Sequence, residues 1–146
     1  MNAPKTSCGV IVGDGERILL GHATRSPRWD IPKGEAEPGE DFAAAAAREL
    51  REETGLSVAP GERAARGVHP YLRGKDLALF AWTPTLMPDP ESLVCGSTFT
   101  LPNGSALPEF DRFGLFAWDE ALTRVGKNMA RILAGVGRDM PKGASR

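Results

Sequence analysis

This sequence predicts an α/β layered fold, on three observations. Short apolar stretches of β-type residues alternate along the chain with helix-forming segments, as expected when helices cover the faces of a sheet. The strongest helix-forming segment, residues 42–53, follows Asp41, a good N-cap, and is closed by Gly55, a residue suited to ending a helix. A chain of 146 residues has room for one domain around one core, read here as 1–146 with an ordered part over about 7–134.

Taken in order, residues 8–12 and 18–20 are apolar, and Gly13-Asp14-Gly15-Glu16 between them tolerates positive φ, which predicts a β-hairpin. Residues 26–34 carry too much Pro and Gly for a long regular element and read as a loop with a short extended piece. Apolar residues around Val58 and Val68 and the run 77–82, which ends before Pro84, predict further strands. Residues 86–108 hold Pro88, Pro90, Pro102, Pro108 and an Asn103-Gly104 turn, so they form a long loop or loose hairpin. Residues 113–118 read as a last strand, and Asp119 as the cap of one helix carrying Leu122, Val125, Met129, Ile132 and Leu133. Residues 1–6 and 135–146 lack apolar periodicity and are expected to fray. There is no internal repeat.

Charge and cysteine content narrow the function classes. Eighteen Lys and Arg against nineteen Asp and Glu leave a net charge of -1, which disfavours a general nucleic-acid or acidic-membrane binder. Cys8 and Cys95 show no C-x-x-C pairing, so they supply neither a disulfide scaffold nor a structural zinc site and fit a reducing cytoplasm. No run reaches the roughly 18 apolar residues of a membrane span, and the first residues lack the order of a signal peptide.

The helix over 42–53 carries the chemistry. Glu49, Glu52 and Glu53 fall within an arc of about 100° on its surface. Like charges so placed repel unless a cation sits among them, and a hard divalent ion such as Mg²⁺ takes carboxylate and phosphate oxygens. Arg48, beside Glu52 at i+4, can hold an acidic partner in a fixed rotamer. A bare E-x-x-E-E reads first as a solvated helix face; the spacing over a longer window reverses that reading.

Gly34, Glu40, Arg48, Glu49, Leu50, Glu52, Glu53, Gly55 and Leu56 fit G-x5-E-x7-R-E-U-x-E-E-x-G-U, with U aliphatic, over 34–56. This pattern closely resembles the Nudix box, and the chain is identified as resembling the Nudix hydrolase (MutT-like) family. The resemblance implies an α/β/α sandwich with a central mixed β-sheet. It implies hydrolysis of a diphosphate linkage in a nucleoside diphosphate joined to another group, with Mg²⁺ or Mn²⁺ as cofactor. Carried onto this chain, Glu49, Glu52, Glu53 and the Lys33 carbonyl become metal ligands, while Glu40 and Arg48 brace the helix. The base is Glu49, Glu53 or an acid outside the box. Glu109 is the outside candidate, because residues 109–121 resemble the family segment in which a loop acid precedes a strand and a D/E-E-A helix start; it reads otherwise as an exposed loop acid.

Trp29-Asp30-Ile31-Pro32-Lys33-Gly34 with Glu37-Pro38-Gly39-Glu40 resembles the loop that leads into the box in dinucleoside and diphosphoinositol polyphosphate hydrolases. Lys33 beside Gly34 offers a cation to phosphate, or is a solvated loop lysine. Tyr71, Arg73 and Lys75 offer an aromatic face and two cations for a base and outer phosphates, or form a polar hairpin turn. Trp82 and Trp118 read as core, and His22 and His69 receive no catalytic role. The expected partner is a nucleotide or other diphosphate-bearing small molecule. The alternatives are an RNA 5′ end, a nucleoside triphosphate, or a non-catalytic nucleotide sensor.

Overall fold

The computed structural model describes residues 5–137, 140 and 141. Nine strands and three helices follow in the order β1 (Lys5–Val12), β2 (Arg17–Ala23), β3 (Trp29–Asp30), β4 (Lys33–Glu35), α1 (Phe42–Thr54), β5 (Ala64–Leu72), β6 (Lys75–Trp82), β7 (Thr98–Thr100), β8 (Ala106–Pro108), β9 (Phe110–Ala117), α2 (Trp118–Arg124) and α3 (Lys127–Val136). The expected mixed sheet is present as β4-β1-β6-β5, in which β1 and β6 run parallel and the other pairs antiparallel. A second, antiparallel sheet, β3-β2-β9, extends the layer, and β7 and β8 form a hairpin of their own.

Helices cover both faces. Cys8, Val10 and Val12 of β1 pack with Leu19, Ala45, Ala46 and Leu50 on the α1 side. Ile11 of β1 packs with Ile18, Leu20, Met129 and Leu133 on the α3 side. This alternation is the two-residue period of a strand buried on both faces, which is why β1 reads as a continuous apolar run. Leu50, fully buried at the centre of α1, contributes roughly 2 kcal/mol by leaving water. Asp41 caps α1 by accepting from Ala44 N–H at 3.1 Å, and Gly55 ends it with φ +84°, as the sequence implied.

Four expectations are corrected. Residues 8–12 and 18–20 do not form a hairpin: apart from one bridge, Gly13 to Ile18, β1 and β2 enter different sheets. Both edges of β1 are already taken by β4 and β6, so β2 has none to join. The turn itself is real, with Asp14 Oδ1 accepting from Glu16 and Arg17 N–H at 2.8 Å each. Val58 lies in a coil rather than a strand, buried against the α1 side. The single C-terminal helix is two, broken at Val125 and Gly126, both extended; Ala117 is its N-cap position and Asp119 lies within the first turn. The tail does not fray throughout, since Met140 is buried in the core and Gly15 N–H donates to Pro141 O at 2.9 Å. The fraying expected over 1–4, 138–139 and 142–146 falls outside the described residues.

Within the long 86–108 segment, expected as a long loop or loose hairpin, β7 and β8 pair around Asn103-Gly104 and residues 86–97 are loop with one short turn at Pro90–Ser92. Trp82 and Trp118 pack against the core, and Trp118 Nε1 donates to Asp14 O at 2.6 Å. Among the described residues no helix is long and apolar enough to cross a membrane. Replacing Asp41 with Ala should cost about 1 kcal/mol through the lost cap; urea unfolding at neutral pH with an unchanged midpoint would contradict this.

Candidate active site

The site lies where α1 meets the free edge of β4. Strand β4 reaches β1 through residues 32, 34 and 36: Val10 N–H donates to Pro32 O at 3.3 Å and Ala36 N–H to Thr6 O at 2.9 Å. In an antiparallel ladder the intervening residues turn their amides the other way. Lys33 N–H accordingly donates to Glu53 Oε1 at 2.8 Å, and Glu35 O accepts from Arg48 Nη2 at 3.3 Å. The unpaired backbone of an edge strand is thereby satisfied by the polar face of a helix. Gly34 makes the approach possible, because a Cβ there would overlap the Glu49 carboxylate.

Arg48 organises the acids around it. Its Nε and Nη2 donate to Glu40 at 2.9 Å each, its Nη1 to Glu49 Oε1 at 2.9 Å, and Glu52 lies 3.4 Å away. Those bonds from Arg48, with Glu37 N–H, hold the Glu40 carboxyl down at about 2. Glu40 in turn raises the Arg48 guanidinium. The loop over 37–40 is therefore locked to the helix, as bidentate guanidinium pairs do well.

Glu49 and Glu53 are shifted the other way. Burial raises the Glu49 carboxyl, opposed by Arg48, and Glu52 and Glu109 add to the rise. Glu53 is only 3% exposed, and burial first, then the adjoining Glu109 carboxyl, push it up to about 10 against the pull of Lys33 N–H. Lys33 Nζ stands 3.0 Å from Asp30 and 5.7 Å above the Tyr71 ring. Burial lowers the Lys33 ammonium, but Asp30 and Tyr71 outweigh it and the net shift is upward, so it stays charged.

The fold thus gathers Lys33, Gly34, Arg48, Glu49, Glu53, Glu109 and Tyr71, with Glu52 at the more exposed rim. Arg73 and Lys75 do not join them: Arg73 is exposed in the turn between β5 and β6, and Lys75 Nζ is held by Glu35 at 2.8 Å. Tyr71 instead faces a 240 Å³ cavity at the start of α3, shared with Arg28, Lys127 and Asn128. Arg28 and Asn128 escaped the sequence reading because nothing local marks them; only the docking of α3 brings them to Tyr71. A larger cavity of 560 Å³, between 90–95 and 108–113, contains none of the box carboxylates.

The donors at the site are carboxylate oxygens, with the Lys33 backbone alongside, a set suited to a hard divalent cation. Two neighbouring carboxyls, each raised first by burial and further by adjoining carboxylates, are short of positive charge, and that deficit is what a cation fits. Among the described residues no group of three or more His, Cys, Asp or Glu is preset to hold a metal ion. Glu49 is turned to Arg48 and Glu53 to Lys33 N–H.

A family model, that of the NUDIX domain, matches residues 3–134. The chain belongs to the Nudix family. A 17.7 kDa uncharacterized protein of Enterobacteria phage T4 is 35% identical over 129 residues, covering 86% of this chain and 82% of that protein. An RNA pyrophosphohydrolase of Dinoroseobacter shibae is 46% identical over 59 residues, 38% of this chain and 37% of its own length. A NUDIX hydrolase from Nitrosomonas europaea superposes with a TM-score of 0.64 at 18% identity over 96% of this chain and 93% of the other. Nudix membership makes this chain a hydrolase of diphosphate bonds, in a family that generally depends on divalent metal.

Glu53 binds its proton more tightly folded than unfolded, so its contribution to stability is complete below the ordinary carboxyl range and is lost as pH rises toward about 10. In metal-free protein at pH 8, Glu53→Gln should therefore melt higher than wild type, on the order of 5 °C, with the gap closing near pH 4. Equal melting temperatures at pH 8 would refute the buried-acid reading. Gly34→Ala should displace Glu49 and weaken Mn²⁺ binding at least severalfold, read by electron paramagnetic resonance.

Proposed function

We propose that this Nudix protein is a Mg²⁺- or Mn²⁺-dependent pyrophosphohydrolase that cleaves a diphosphate linkage in a nucleoside diphosphate joined to a second group, with dinucleoside polyphosphates as its substrate class. The observation that carries the reading is Glu53, buried between Lys33 N–H and the Glu109 carboxyl beside a charged lysine. The loop Trp29 to Gly34, with its resemblance to dinucleoside polyphosphate hydrolases, supports the substrate class.

Glu49, Glu52, Glu53 and the Lys33 carbonyl would hold the cation, the carbonyl lying on the same side of β4 as the amide that meets Glu53. When bound, the cation neutralises the diphosphate and lowers the pKa of a water molecule. Arg48 and Glu40 keep α1 in register with the loop, and Lys33 Nζ meets the phosphate oxygens. Tyr71 with Arg28 and Asn128 receives the nucleoside end in the cavity they share. Water attacks phosphorus, the bridging P–O bond breaks, and Glu109 accepts the proton of the attacking water. The reaction takes place in a reducing cytoplasm, where both cysteines stay free.

An RNA 5′ end is the second reading, favoured by the similarity over 59 residues to an RNA pyrophosphohydrolase. A nucleotide panel with Mg²⁺ or Mn²⁺ decides between them: dinucleoside polyphosphates, nucleoside triphosphates, ADP-ribose, NADH, a diphosphoinositol polyphosphate and 5′-triphosphate RNA, with products resolved by mass. Release of mononucleotides from a dinucleoside polyphosphate at the highest kcat/KM is expected; faster cleavage of the RNA would move the assignment to the second reading. Glu53→Gln should abolish turnover, and Glu109→Gln should lower kcat by roughly 100-fold or more. Intact ligand after prolonged incubation of folded protein with metal and every panel member would instead indicate a sensor.

A further inference from the structure

Glu109 stands one residue before β9, and its backbone is gripped on both sides. Its N–H donates to Ser97 O at 2.9 Å, and its carbonyl accepts from Thr24 N–H at 3.1 Å. Ser97 follows Gly96, whose N–H donates to Glu52 O at 2.7 Å, so this strap is tied at its other end to α1 itself. The Thr24 hydroxyl adds a bond of 2.5 Å to Pro108 O, the carbonyl of the peptide that enters Glu109.

The partner is selected by an irregularity in the sheet. Strand β2 pairs His22 with Arg112 but Ala23 with Phe110, so the register slips by one residue between them. Without the slip Thr24 would fall opposite Phe110; with it, Thr24 falls opposite Glu109. Bulges next to active sites commonly re-aim a side chain in this way. Phe110 anchors the slipped register, buried against Gly21, where a Cβ would lie 2.5 Å from the ring.

We infer that Thr24 is a positioning residue, whose hydroxyl on the Pro108 carbonyl and backbone on the Glu109 carbonyl hold the Glu109 carboxyl against Glu53. This rests on Glu109 being the proton acceptor proposed above. A shift of the order of 1 Å in such a group is sufficient to cost up to 100-fold in rate.

The test uses Thr24→Val, which keeps the shape and backbone N–H but removes the hydroxyl, and Thr24→Ser, which restores it. Both are made in the wild-type and Glu109→Gln backgrounds, with melting temperatures confirming folding. On the panel nucleotide that wild type cleaves fastest, Thr24→Val should lower kcat roughly tenfold with KM nearly unchanged. Thr24→Ser should recover most of that loss, and Thr24→Val should have no further effect once Glu109 is Gln. Crystal structures of the metal-free proteins should show the Glu53 and Glu109 carboxyls in contact in Thr24→Ser and separated in Thr24→Val. Retention of that contact in Thr24→Val, or the same loss of kcat in both backgrounds, would overturn the inference. Full activity of Glu109→Gln alone would instead remove the proton-acceptor reading, while the carboxyl separation still reports on Thr24.

Discussion

Everything at this site depends on placing one carboxyl group, that of Glu53, out of water against the edge of a sheet. Such a group is costly to bury unless it is hydrogen-bonded and its charge is met. Lys33 N–H provides the hydrogen bond, and the geometry of β4 makes that amide available because β1 uses only residues 32, 34 and 36. Gly34 removes the side chain that would keep the helix away. The same short strand therefore satisfies its own unpaired backbone and prepares a site that is short of positive charge.

Arg48 settles how tightly each neighbouring acid is held. It binds Glu40 with two parallel hydrogen bonds and holds it ionised, so Glu40 is fully engaged in closing the loop onto α1. Glu49 shares the same guanidinium through one bond, and Glu53 has no bond to it. Carboxyls that are chemically identical in sequence acquire distinct roles through the number of donors each meets. Cys8, buried on the same side of β1, shows the converse: its thiol is pushed up to about 11, chiefly by burial and then by Glu40, and serves as packing.

The split of the strands into β4-β1-β6-β5 and β3-β2-β9 brings residues from distant parts of the chain to this centre. Lys33 arrives from the first sheet, Glu109 from the residue just before the last strand of the second, and Tyr71 from the opposite edge strand of the first. The strap over 94–97 binds the C-terminal turn of α1, through Thr54 and Glu52 carbonyls, to the segment carrying Glu109. The helix and the outside acid are thus linked through a short chain of directional backbone hydrogen bonds, despite the roughly fifty residues between them.

The α1 segment was legible in the sequence because its determinants are local: a cap at Asp41, helix formers, a terminating glycine and carboxylates whose spacing is set by the helical period. Gly34, Glu40 and Arg48 were legible for the same reason, lying within one loop and helix. The hairpin expected at 13–16 failed because pairing depends on which strand edges remain free, and β1 had spent both on partners distant in sequence. Of the three residues read together at 71–75, the fold brings Tyr71 beside Lys33 and leaves Arg73 exposed in the turn and Lys75 on Glu35, a separation that spacing along the chain does not reveal. Arg28 and Asn128 had no signal at all, and the one-residue slip that sets Thr24 opposite Glu109 is a property of two strands in register. Sequence by itself determined the helix, its acids and the family; tertiary structure alone decided the burial of Glu53, because desolvation and the neighbours that offset it exist only once distant segments pack together.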